Sequence, residues 1–167
     1  MVDEVSILTA ILTEELGHYQ QLLGLARTKG GLLGGRDLPG LQRVVAEEER
    51  LIAEIESLEQ RRVQLTEMIT ASRTGSPLPN PTLLALGELA GEPRGSALRD
   101  LHTRITGVLN ELKGINSLNN MLIERSLAFV EFSLGALTGQ NAEPSTYGPS
   151  SGQKEDRPAP SLFDLKA

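Results

Sequence analysis

The run Leu98-Arg99-Asp100-Leu101-His102-Thr103-Arg104-Ile105-Thr106-Gly107-Val108-Leu109-Asn110-Glu111-Leu112-Lys113-Gly114-Ile115 decides the fold. Leu98, Leu101, Ile105, Val108, Leu112 and Ile115 recur at steps of three and four, which lines one face of an α-helix. Asn119, Leu122, Ser126 and Phe129 continue the stripe with two polar interruptions. The pattern predicts a helix from about Arg94 to Leu137. At ~1.5 Å per residue, its ~44 residues reach about 65 Å.

Upstream the same periodicity returns twice. Val5, Leu8, Leu12, Leu16, Tyr19, Leu23 and Ala26 predict a helix from about Val2 to Leu33, which Gly30, Gly31, Gly34 and Gly35 should end. A second helix is expected from Asp37, a good N-cap, with Pro39 in its first turn. Its stripe is Leu41, Val45, Ile52, Ile55, Leu58, Leu65 and Ile69, and Thr74-Gly75-Ser76-Pro77 stops it. A short helix follows, capped by Asn80, with Pro81 at its first position and Leu83, Leu84 and Leu86 as anchors. Gly91-Glu92-Pro93 closes it. Three long helices and one short one, joined by short loops, predict an all-α antiparallel bundle or long coiled coil over residues 1–138. The last helix outruns the first, leaving roughly 15–20 Å of it without a full-length partner.

After Thr138 glycine and proline are spread among polar residues, a composition that cannot offset its chain entropy by burial. Residues 139–167 are therefore expected to form a flexible, disordered tail containing Tyr147 and Phe163.

Composition removes several function classes. The 167 residues contain no Cys and no Trp, which excludes disulfides and thiolate zinc sites. A net charge of −6 with no basic face argues against nucleic acid. Aromatic residues are 3% of the chain, too few for an ordinary β-core. Met1-Val2-Asp3-Glu4 places acids where a signal peptide carries bases, and the apolar stretch Leu127 to Leu137 is too short to span a bilayer. The expectation is a cytoplasmic protein without membrane insertion.

Candidate chemistry is thin. Glu15-Leu16-Gly17-His18 has the Glu-x-x-His spacing of di-iron bundles, but no second copy exists because Arg99 precedes His102 by three. Neither metal nor cofactor is expected, and both histidines read as solvated. Glu47-Glu48-Glu49 points in different directions around a helix and reads as a solvated face. Gly30 to Gly35 lacks the Gly-Lys-Ser/Thr ending of a phosphate loop. No Ser/His/Asp arrangement emerges, so no enzyme is predicted.

The informative region is Asn116 to Leu137. Asn119 falls in the apolar seam, where an asparagine either fixes register or hydrogen-bonds a bound helix. Leu122, Ile123, Leu127, Phe129, Val130, Phe132, Leu134 and Leu137 cover more than one stripe, more than two neighbouring helices bury. Such a leftover patch marks a partner site or a homodimer interface.

The order of an amphipathic first helix, a Glu/Arg-rich helix (Glu47-Glu48-Glu49-Arg50-Leu51 through Leu58-Glu59-Gln60-Arg61-Arg62), a Leu-rich spacer and a final helix with Leu112-x-x-Ile115-Asn116-x-x-Asn119-Asn120-x-Leu122-Ile123-x-x-Ser126-Leu127 resembles the FlgN family of flagellar export chaperones. Tyr147-Gly148 and Leu162-Phe163-Asp164-Leu165-Lys166-Ala167 are similar to tails of that family. The resemblance implies a chaperone that binds hook-associated proteins in the cytoplasm through their helical termini, prevents premature assembly and delivers them to the export gate. It implies client contacts at Asn116, Asn119, Leu122, Ile123, Leu127, Val130 and Leu134. For Leu162, Phe163 and Leu165 three roles stay open: folding over the client groove, touching the export gate, or none. The alternative to the chaperone is a structural or regulatory coiled coil that self-assembles through the last helix.

Overall fold

A computed structural model describes residues 3–76 and 81–138 of the chain. The expected tail, with Leu162, Phe163 and Leu165, and the expected cap Asn80 lie outside the described residues. Four helices appear in order: α1 (Glu4–Gly35), α2 (Leu38–Thr74), α3 (Leu83–Ala90) and α4 (Arg94–Thr138). No strand occurs among the described residues. The predicted all-α fold of three long helices and a short one is what forms.

Cross-helix pairs set the directions. Glu15 lies 3.3 Å from Arg62, and Lys29 Nζ donates to Glu48 Oε2 at 2.8 Å, so α1 and α2 run antiparallel. Asp3 pairs with Arg94 at 2.7 Å near one end, and Asn119 meets Ala26 further on, so α4 runs parallel to α1. The bundle is up–down–up with α1 in the middle, packed against both α2 and α4, while α3 lies across the start of α4.

The whole expected stripe of α1 is buried, and so are Ile11, Glu15 and Leu22, because this helix has a neighbour on two sides. The α2 stripe differs from expectation in its first half. Val44 and Leu51 are buried, Leu41 and Ile52 are half-buried, and Val45 is exposed. The cause is polar. The α2 face turned to α1 runs through Val44, Glu48, Leu51, Ile55, Leu58 and Arg62, and an apolar search skips Glu48 and Arg62.

The glycines do not end α1 where predicted. The helix continues through Gly30, Gly31, Gly34 and Gly35 and stops at Arg36, whose φ of 57° is left-handed. Each glycine costs about 1 kcal/mol against alanine but breaks no backbone hydrogen bond, and half-buried Leu32 and Leu33 hold the segment down. Asp37 then caps α2 as expected, its Oδ1 accepting from Gly40 N at 2.9 Å. Gly40 is buried and leaves no room for a side chain: a Cβ there would collide with the Asp37 carboxylate and stand 2.9 Å from Leu32 Cδ2. Helix α3 starts two residues later than predicted: Thr82 is the cap, accepting from Ala85 N at 3.1 Å, and Pro81 stands before it. Leu83 and Leu86 anchor it, while Leu84 is exposed. Gly87 of α3 faces Gly95 of α4, backbone against backbone, which only missing side chains permit.

One apolar core joins all four helices, from Val5 on α1 to Leu112 on α4. It ends there. From Asn120 to Leu137 no residue of α4 is buried.

Candidate client-binding face

The end of α4 is placed by one buried hydrogen bond. Asn119 is 3% exposed, and its Nδ2 donates to the Ala26 carbonyl at 2.8 Å. Its Oδ1 lies over Gly30, where a Cβ would stand 2.8 Å away. Gly30 is thus the hollow that admits the amide, a role invisible in a glycine read as a helix breaker. At the register set by Ala26 opposite Asn119, the end of α1 is level with about residue 128. Roughly ten residues, about 15 Å, of α4 run past it. The predicted overhang is present, and α2 begins at the same corner, so neither helix accompanies α4 beyond it.

Along this length apolar side chains face solvent. Ile123, Leu127, Val130, Leu134 and Leu137 recur at steps of four and three, one stripe along the helix. Leu127 and Val130 are each 59% exposed, Phe132 75% and Leu137 86%. Leu122 and Phe129 lie on an adjoining face and, with Val130 and Arg125, line a cleft of about 530 Å³ against the α1–α2 corner. Leu33 and Gly34 of α1, Arg36 of the turn, and Leu38 and Leu41 of α2 form its other wall. The Arg36 guanidinium stands 5.4 Å from the Phe129 ring centre, a cation–π contact that joins the two walls.

Of the residues singled out from sequence, Leu122, Ile123, Leu127, Val130 and Leu134 come together on this exposed end. Asn119 does not present its amide to solvent; it is engaged with α1. Asn116 is half-buried one turn earlier. With Tyr19, Leu22, Lys29, Ile52 and Asn120 it lines a second cleft of about 380 Å³ between α1, α2 and α4, where its Oδ1 is buried without a hydrogen-bond partner. The corner residues Leu33, Arg36, Leu38 and Leu41 were missed. Leu38 carried a faint signal: an apolar residue at the first position of a helix, in a turn, has no local reason to be there.

Two groups expected to be solvated, His18 and Glu48, are largely covered, and a carboxyl beside them is buried outright. Glu15 is 4% exposed, and burial pushes its carboxyl up to about 7; Arg62 pulls it down less than burial raises it, and Glu59 adds to the rise. Tyr19 beside it is pushed well up, by burial first and Glu15 second. The His18 side chain is largely covered and lies 3.7 Å from Glu54. Glu48, in the middle of the acidic triplet, is spent on Lys29. The Glu47 carboxyl is held below its usual range by its hydrogen bond to Arg50. Among the described residues no three His, Asp or Glu come together as a metal site needs. No described helix is long and apolar enough to cross a membrane.

A helical bundle whose apolar surplus sits on one protruding helix end belongs to the class of proteins that hold other proteins. The chain belongs to the FlgN family: the model of that family, described as FlgN protein, matches residues 1–155. FlgN proteins are flagellar export chaperones, not enzymes, and as a family bind hook-associated proteins; this chain is a chaperone of flagellum biogenesis. No curated protein and no solved structure matches it.

Proposed function

We propose that the chain acts in the cytoplasm and holds the C-terminal helical segment of a hook-associated protein on the end of α4. The client prevented from premature assembly is then delivered to the flagellar export gate. Residues 1–138 are the working domain and residues 139–167 an appended tail. The observation that carries this reading is the run of exposed apolar side chains from Leu118 to Leu137 next to a cleft of matching character. An amphipathic client helix lays its apolar face on Leu122, Ile123, Leu127, Val130 and Leu134, the helix-in-groove mode. Asn119 serves by fixing α4 against α1, and half-buried Asn116 stands one turn before it at the near end of the face. Burying five such side chains gives roughly 8–15 kcal/mol gross. Ordering and association costs return much of it, leaving micromolar to nanomolar affinity.

The experiment is calorimetric titration with C-terminal peptides of the hook-associated proteins, repeated with Leu127→Glu and Val130→Glu. Tight binding that is lost in both variants is expected. Absence of binding to every peptide, together with a dimer that does not dissociate on dilution, would replace this reading with the self-assembling coiled coil, in which the same stripe is covered by a second copy.

A further inference from the structure

The cleft at the α1–α2 corner is lined by apolar side chains and two arginines, Arg36 and Arg125, with no acid. Arg36 spends the flat face of its guanidinium on Phe129, which leaves its N–H edges available. Neither arginine has a carboxylate partner among the described residues. In a chain of net charge −6, two unpaired cations beside an apolar groove favour an occupant with a carboxylate set between apolar residues. The chain itself carries that pattern in Leu162-Phe163-Asp164-Leu165.

We propose that this segment occupies the cleft of its own chain, with Phe163 and Leu165 against Leu38, Leu122 and Val130 and with Asp164 between Arg36 and Arg125. Reach does not oppose it. About 24 residues separate Thr138 from Leu162, enough for ~80 Å when extended. The way back along α4 from Thr138 to Val130 is only about 12 Å. Tethering gives the segment an effective concentration on the order of millimolar, so a contact far weaker than a client's still fills the cleft. Two features make it displaceable: it is short, and half of its contact is an exposed charge pair, weakened by salt. That a client helix displaces the segment on arrival rests on the function proposed above; the occupation itself does not.

The absence of cysteine permits a clean test in the full chain. A nitroxide on Ser161→Cys is read by amide line broadening in a ¹⁵N-labelled sample. Selective loss of the signals of Leu33 to Leu41 and Leu122 to Val130 is expected. It should disappear with Asp164→Lys, disappear with Arg125→Glu, and return when the two are combined. Mixing spin-labelled ¹⁴N chain with unlabelled ¹⁵N chain should leave those signals intact. Uniform broadening along α4, broadening indifferent to the charge reversals, or broadening that persists in the mixed sample, which places a second copy in the cleft, would each overturn the proposal. No client is present, so none of these outcomes bears on whether the cleft also receives one.

Discussion

Replacing Glu15 with Gln should change how the stability of the bundle depends on pH. The Glu15 carboxyl sits in the α1–α2 seam, and burial raises it from 4.5 to about 7 despite the Arg62 guanidinium 3.3 Å away. A carboxyl raised by folding is a liability of its charged form. Below about pH 4.5 it is protonated in both states and contributes no difference. Between 4.5 and about 7 the unfolded chain releases the proton while the folded chain keeps it, so stability falls as pH rises. Above that window the full penalty applies, on the order of 3 kcal/mol at ~1.4 kcal/mol per pH unit. Solvent screening removes little of it, since Glu15 is 4% exposed. Glu15→Gln keeps the shape and removes the titration, and Arg62 retains Glu59 at 3.2 Å as a partner. Urea unfolding followed by circular dichroism between pH 4.5 and 8 should show the wild type weakening relative to the variant by about 2–3 kcal/mol across that window. Taking the difference cancels every group that behaves alike in both proteins. A wild-type-minus-variant difference that is flat with pH, or that grows in favour of the wild type toward pH 8, would refute the account of Glu15 as a carboxylate buried against its preference.

Gly95→Ala drives a methyl into the Gly87 carbonyl and should cost about 2–3 kcal/mol by thermal or urea unfolding, whereas Gly107→Ala, with open space around it, should gain roughly 0.5–1 kcal/mol. Gly30→Ala should stabilise the chain when Asn119 is replaced by Ala but not when Asn119 is present. A double-mutant cycle measures this coupling at on the order of 1–2 kcal/mol, and additive effects would mean that Gly30 is not the seat of the Asn119 amide. Leu127→Glu and Val130→Glu should leave the unfolding free energy within about 0.5 kcal/mol of wild type, because both positions are open to solvent, while client affinity falls by roughly ten- to a hundredfold.

What the sequence made legible and what it hid divide along one physical line. The stripe from Val5 to Ala26 and the core positions Leu98, Leu101, Ile105 and Leu112 were readable because an apolar residue repeated at helical spacing has one cheap destination. The overhang of α4 was readable from length alone. The α2 seam was not, because Glu48 and Arg62 stand where the pattern rule looks for leucine, and their partners Lys29 and Glu15 lie on another helix. Nor was Gly30, whose purpose is a hollow for a side chain 89 residues away. The corner cleft needed the tertiary register before Leu38 and Phe129 could be seen as neighbours. These failures share a cause. This chain places ionisable and amide groups inside its long seams and leaves leucines, valine and phenylalanines outside on the end of α4. The first choice lowers stability but ties α1 to α2 and α4 in a single register, since a slip by one turn would strand buried Glu15 and Asn119 and half-buried Glu48 without their partners. The second requires the first. An exposed apolar stripe on a helix free to slide would be drawn into the bundle, where nothing could bind it. Held by Asn119 at the last buried turn, α4 must keep its apolar end beyond the corner of α1 and α2.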